Sequence, residues 1–223
     1  MALDLARIEA LCFDVDGTLS DTDDQMVANL ANVFKYVLPM ERAKKLARYI
    51  VMRAEGPGNF LYGLPDRFGI DDELADLNER FLARWLRRGN RHFELIDGTI
   101  DCLQQCEKKY PLAVITARGP HGTSAFLSQY DLEPHFRCVA SALTAPRTKP
   151  YPDPIFWAAE QIGVEPENCL MIGDTTVDIR AGVAAGAQTV GVLSGFGEEE
   201  ELRQAGADLI LGSVADLPAA LAI

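Results

Sequence analysis

The 223-residue chain has only three histidines, five cysteines and no uninterrupted apolar run of membrane-spanning length. A transmembrane helix needs about 20 consecutive apolar residues, so a spanning segment is not expected. An odd number of cysteines, scattered through apolar and helical contexts, does not form a disulfide framework. It points instead to reduced core thiols in a cytoplasmic protein. Cys102 and Cys106 share one helix face, yet no second Cys/His pair accompanies them to complete a zinc site. His92, His121 and His135 fit no ligand spacing and read as surface or helix-end residues. Positive charge is scarce too: 21 basic against 33 acidic residues give a net charge of −12. A nucleic-acid partner or an anionic membrane surface is therefore not expected. The opening MALDLARIEA lacks the basic-then-apolar pattern of a secretory signal. Internal repeats and low-complexity segments are also missing.

Apolar residues are plentiful, at 48% of the chain, enough for a sizeable core. The length suits one large domain, or a core with a small second one. The stretch around which the rest is organised is Leu11-Cys12-Phe13-Asp14-Val15-Asp16-Gly17-Thr18-Leu19. Its apolar start, 10–13, reads as a buried strand. That strand ends in two carboxylates at alternate positions and then a glycine, so the chain must turn there. Asp14 and Asp16 should sit together at the carboxyl end of a central strand, the edge where open α/β sheets bind ligands. Adjacent carboxylates repel unless a cation lies between them, and a hard divalent ion, Mg²⁺ first, suits oxygen ligands.

After Thr18 the pattern turns helical. Met26, Val27, Leu30, Val33, Phe34, Val37 and Leu38 recur at helical spacing until Pro39. Residues 40–54 form a second helical stretch, and Leu74, Leu77, Phe81, Leu82, Trp85 and Leu86 mark a third that closes at Gly89. Strand–helix alternation resumes after Gly98. Strands are predicted at 112–116, 138–141, 169–173, 188–192 and 208–211. Helices are predicted at 99–109, 121–130, from Asp153 as N-cap with Pro154 following, 176–185 and 198–205. The expectation is a doubly wound, Rossmann-like α/β fold with a mostly parallel sheet. Residues 1–19 and 92–223 would form its core, and 20–91 a small inserted helical cap. Trp85 and Trp157 lie on apolar helix faces and are expected in the core.

Three further chemical groups fall at strand ends. Thr116 closes LAVIT before Ala117-Arg118-Gly119, where a hydroxyl and free backbone N–H groups suit an anion. Lys149 stands among the alternating prolines of Lys149-Pro150-Tyr151-Pro152-Asp153-Pro154, which hold the backbone around one lysine. Asp174 follows CLMIG, with Asp178 four residues on at the first turn of the next helix. Each has a plainer reading taken alone, as helix cap, turn lysine or surface carboxylate. Together they place carboxylates, a hydroxyl and an ammonium at four strand ends.

In these motifs the chain resembles the haloacid dehalogenase superfamily of phosphohydrolases. The matching stretches are Asp14-Val15-Asp16-Gly17-Thr18, Val114-Ile115-Thr116, Lys149-Pro150, and Gly173-Asp174 with Asp178. The Lys149–Pro154 run and Gly191-Val192-Leu193-Ser194-Gly195-Phe196-Gly197 look most like the phosphoglycolate phosphatase-like branch. The resemblance implies that Asp14 is a nucleophile forming an aspartyl-phosphate and Asp16 a general acid–base. It implies that Thr116, Ala117 and Lys149 bind the phosphoryl group. Mg²⁺ would be held by Asp14, the backbone carbonyl of Asp16, and Asp174, with Asp178 orienting metal-bound water. Arg118 departs from the small or amide residue commoner after this threonine. Gly17 to Asp23 would be a hinge, and Gly56 to Phe60, with Arg53 and Arg67, could face the site. The implied activity is Mg²⁺-dependent hydrolysis of a small phosphorylated metabolite, 2-phosphoglycolate first. A β-phosphoglucomutase-like mutase, a pyrophosphatase and an inactive regulatory or binding protein on the same fold are the alternatives.

Overall fold

The computed structural model describes residues 3–21, 31–35, 38–40, 42–43 and 93–223. Six strands form one parallel sheet: β1 (Ala10–Phe13), β2 (Leu112–Ile115), β3 (Phe136–Ala140), β4 (Cys169–Gly173), β5 (Gln188–Val192) and β6 (Leu209–Leu211). Their order across the sheet is β3-β2-β1-β4-β5-β6. The connecting helices are α1 (Thr99–Cys106), α2 (Pro120–Gln129), α3 (Asp153–Ile162), α4 (Thr176–Ala185), α5 (Glu199–Ala205) and α6 (Leu217–Ala220). The predicted doubly wound fold is therefore present.

The strands are apolar on both faces because both faces are covered. Leu11 and Phe13 of β1 point to one side with Leu112, Val114, Leu170 and Ile172, and pack with Leu103, Phe126, Leu127, Val214 and Leu217. Ala10 and Cys12 point to the other with Ala113, Ile115 and Met171, against Ile155, Ala158, Ala159 and Ala181. Small side chains on that second face let α3 and α4 approach the sheet closely. Helix α4 ends where expected, at Gly186, whose φ of +77° glycine adopts without strain.

Four sequence expectations need correcting. Helix α1 ends at Cys106, three residues short of the predicted 109. Strand β3 begins at Phe136, not Cys138. It is an edge strand, and the exposed Arg137 hides it from an apolar-run reading. Helix α3 has Pro152 in the N-cap position, with Asp153 already inside the helix. The Asp153 carboxylate is drawn away from capping by Arg147, whose Nε and Nη2 donate to it at 3.0 and 2.9 Å. Trp157 is half-buried at the margin of the core rather than inside it.

Of the predicted inserted segment, residues 31–34 are helical, and Ala31 and Ala43 are buried with Phe34 and Leu38 packed against them. The third helix around Trp85, the loop Gly56 to Phe60, Arg53, Arg67 and His92 lie outside the described residues. Of the other two histidines, His121 is exposed at the start of α2 and His135 ends a short 3₁₀ turn, as expected. Among the described residues, no helix is long and apolar enough to cross a membrane.

Candidate active site

Strand β1 lies where the strand order reverses, with β2 and its successor to one side and β4 to the other. A doubly wound sheet opens a crevice at the carboxyl ends of the strands at this point. Asp14 is the first residue beyond β1, and its N–H still donates to Ile172 O at 2.9 Å. The chain then turns sharply: Gly17 takes a φ of +75°, and its N–H donates to Ser20 O at 2.8 Å. Thr116 stands beyond β2, with its N–H donating to Ala140 O at 2.9 Å, and Asp174 stands beyond β4. The loop after β3 delivers Lys149.

Lys149 joins two of these carboxylates. Its Nζ donates to Asp14 Oδ1 at 2.6 Å and to Asp178 Oδ1 at 2.5 Å, and all three side chains are buried. The second oxygen of Asp178 accepts from the Thr175 N–H at 3.0 Å and the Thr175 hydroxyl at 2.6 Å. Asp178 thus caps the start of α4 with one oxygen and holds the ammonium with the other. Asp174 accepts from the Thr18 hydroxyl at 3.3 Å and from the Phe196 N–H at 2.9 Å. The 194–197 loop lies so close over Asp174 that a Cβ at Gly195 or Gly197 would collide with it. The Ser194 hydroxyl ties the same loop to Gly17 O at 2.8 Å.

Carboxylate oxygens of Asp14, Asp174 and Asp178 lie within 4.8 Å of one another. Burial pushes the Asp14 carboxyl up to about 7; Asp178 and Asp16 add to the rise, and Lys149 opposes it. Burial also works against charge on Lys149, but Asp14 and Asp178 outweigh it and hold the ammonium well above the usual lysine range. Among the described residues, one ammonium stands with three buried carboxylates. Such an all-oxygen donor set fits a hard divalent cation such as Mg²⁺.

Asp16 is not part of this cluster. Its carboxylate forms a forked ion pair with Arg118, through Nη2 to Oδ1 and through Nε to Oδ2 at 3.1 Å. The Thr116 hydroxyl oxygen accepts the Arg118 N–H at 3.0 Å. This leaves the hydroxyl proton of Thr116 available to donate.

Asp14, Asp16, Thr116, Ala117 and Lys149 line one pocket, and Thr175 and Val177 complete its wall. The structure therefore brings five of the residues singled out in the sequence to one pocket, with Asp174 and Asp178 clustered beside Asp14. The sequence reading did not identify Thr175, the Thr18 and Phe196 donors to Asp174, or the Arg118 fork. Thr175 alone had a local signal, as a threonine three residues before Asp178 at a helix start.

The family model described as haloacid dehalogenase-like hydrolase matches residues 11–192. The chain belongs to this family and is a hydrolase. It is 28% identical to the pyrophosphatase PpaX of Anoxybacillus flavithermus, over 97% of this chain and 98% of that one. It is 26% identical to the phosphoglycolate phosphatase of Escherichia coli K12, over 97% and 93%. Among solved structures, a hydrolase from Pseudomonas syringae superposes with a TM-score of 0.72 at 27% identity, covering 96% of this chain and 98% of that one.

Proposed function

We propose that the chain is a Mg²⁺-dependent phosphatase that hydrolyses a small phosphomonoester through an aspartyl-phosphate on Asp14. The observation that carries this reading is the convergence of Asp14, Thr116, Lys149 and Asp174 on one crevice, with Lys149 bonded to Asp14. Asp14, the backbone carbonyl of Asp16, and Asp174 would hold the ion. When bound, the ion neutralises charge on the phosphoryl oxygens and orients the group for displacement.

A carboxylate oxygen of Asp14 attacks phosphorus while the bond to the ester oxygen breaks. Asp16, entering the step protonated, gives that proton to the departing alkoxide, so the alcohol leaves neutral and Asp16 becomes the carboxylate that Arg118 holds. A water then attacks the aspartyl-phosphate, Asp16 takes the water proton, and inorganic phosphate and free Asp14 result. Proton transfer by a positioned side chain is worth about 10²–10⁴-fold. Lys149 offsets the repulsion between Asp14 and an incoming dianion. The Thr116 hydroxyl and the Ala117 N–H are available to a phosphoryl oxygen. Asp178 holds Lys149 in place through Oδ1 and would orient water on the ion. Residues 1–19 and 92–223 are the catalytic core in this reading, and 20–91 a cap hinged at Gly17 to Asp23.

The E. coli relative's name favours 2-phosphoglycolate as substrate, and the Anoxybacillus relative's name favours inorganic pyrophosphate. The test is phosphate release from a panel containing both, together with sugar phosphates, in Mg²⁺ and in EDTA, for wild type and Asp14→Asn. Metal-dependent release that Asp14→Asn abolishes is the expected result, and the ranking within the panel names the substrate class. Isomerisation of a sugar phosphate without net phosphate release would turn the reading towards a mutase. No release from any ester together with no Mg²⁺ binding would leave an inactive fold.

A further inference from the structure

Arg118 is bound to the carboxylate to which the mechanism gives both proton transfers, although 102 residues of sequence separate them. Both carboxylate oxygens are engaged, by different guanidinium nitrogens. A two-point fork fixes the plane and direction of a carboxylate, which a single point charge cannot do. The guanidinium is itself braced. It lies 4.8 Å from the ring centroid of Phe93 and 5.6 Å from that of Phe126. Those two rings pack edge to face, 5.7 Å apart at 81°. The Phe93 backbone is fixed in turn by Gln129, which accepts its N–H at 3.1 Å and donates to its carbonyl at 2.9 Å. Gly122 leaves room for the arginine stem, since a Cβ there would sit 3.1 Å from Arg118 Cγ and 3.2 Å from Cδ. The Arg118 carbonyl accepts from the Ala142 N–H at 3.1 Å and the Thr123 hydroxyl at 3.3 Å. Asp16 lines the pocket that holds Asp14 and Lys149, whereas Arg118 is not among its lining residues.

From this arrangement we infer that Arg118 is the positioning residue of Asp16: its braced fork holds the carboxylate at the mouth of the site, in the orientation from which it exchanges protons with the leaving oxygen and with water. The inference rests on the reading of Asp16 as general acid–base. Arg118 touches neither the phosphoryl group nor the ion in this role. Its removal should leave substrate binding intact and misplace a proton donor, and misplacement by about 1 Å can cost about 10²-fold in rate.

The test compares kcat/KM for an alkyl phosphate and for p-nitrophenyl phosphate in wild type, Arg118→Ala, Arg118→Lys and Asp16→Asn, and in the double variant Arg118→Ala/Asp16→Asn. This parameter reports phosphoryl transfer to Asp14, and p-nitrophenolate departs without needing a proton. The alkyl ester should lose about 10²-fold in Arg118→Ala and the aryl ester roughly tenfold less than that, with KM little changed. Arg118→Lys, charged but unable to fork, should recover only part of the loss. Arg118→Ala should cost nothing further once Asp16 is Asn. Equal losses for both esters, a loss confined to KM, full recovery by lysine or additive losses in the double variant would each overturn the inference. A wild type that releases no phosphate from either ester refutes the phosphatase reading, not this geometry. A crystal structure of Arg118→Ala then decides the geometry: Asp16 displaced from its wild-type position supports it, and Asp16 unmoved overturns it.

Discussion

Replacing Lys149 by methionine removes one charge from the centre of the site while keeping its length and much of its packing. In the wild type, the ammonium is buried between Asp14 Oδ1 at 2.6 Å and Asp178 Oδ1 at 2.5 Å. Removing one partner of a buried pair typically costs about 3–5 kcal/mol, because the other is left charged without compensation. Two carboxylates lose their partner here, which argues for the upper end. Asp14 can escape by taking up a proton, since its carboxyl already titrates near 7, and that argues for the lower end. The expected loss is about 3 kcal/mol at pH 7.5 in EDTA. For a chain of this size that is a fall in Tm of about 6–12 °C. Among the described residues, the variant then holds three buried carboxylates and no ammonium beside them, so it should gain more from a divalent ion than the wild type does. Thermal unfolding of both proteins in EDTA and across a Mg²⁺ series measures both effects, since a ligand that binds only the folded chain raises Tm with its concentration. A cost below about 1 kcal/mol in EDTA, well under what breaking such a pair should cost, or a smaller Mg²⁺ shift in the variant than in the wild type, would refute the charge argument.

Other consequences follow from the same geometry. Gly195→Ala changes no charge but drives a methyl group into the Asp174 carboxylate; it should weaken Mg²⁺ binding at least tenfold by calorimetry, a loss of about 1.4 kcal/mol. Asp14 is raised from 3.8 to about 7 in the folded chain, so between those values the native state binds more protons than the unfolded one. Its contribution to the stability of the metal-free protein is full below about 4 and lost as pH rises through about 7, and denaturant midpoints in EDTA should show that fall. Mg²⁺ binding should accordingly release protons below pH 7, read as a buffer-dependent calorimetric heat. Burial pushes the Cys138 thiol up to about 11, and Cys12 and Cys102 are also raised and buried. A thiol reagent at pH 8 should label the native chain far more slowly than the urea-unfolded one, because Cys12, Cys102, Cys106 and Cys169 are buried and the raised Cys138 carries little of the reactive thiolate.

The core strands were legible because a parallel strand covered on both faces must be apolar throughout, and Leu112 to Ile115 and Cys169 to Gly173 are short runs of that kind. The site was legible for a related reason. Such runs end at the crevice, so a polar residue directly after one is already half located; Asp14, Thr116 and Asp174 were found in this way. What resisted reading was set by partners distant in sequence. Nothing near Asp153 announces that Arg147 will take its carboxylate from the helix cap. Nothing near Asp16 announces Arg118, and nothing near Arg118 announces that Phe93 and Phe126 will brace it. Strand order is of the same kind: β1 beside β4 is a crossover that no local pattern encodes.

Asp178 has a consequence for how the site comes apart. One of its oxygens closes the first turn of α4 through Thr175, and the other anchors the Lys149 ammonium. Fraying of that turn and release of the ammonium are therefore a single event, seen once in the backbone and once in the side chains. The Thr175 amide proton, bonded to Asp178, exchanges with solvent only when that event occurs, so its exchange rate is a clock for the integrity of the whole charged cluster.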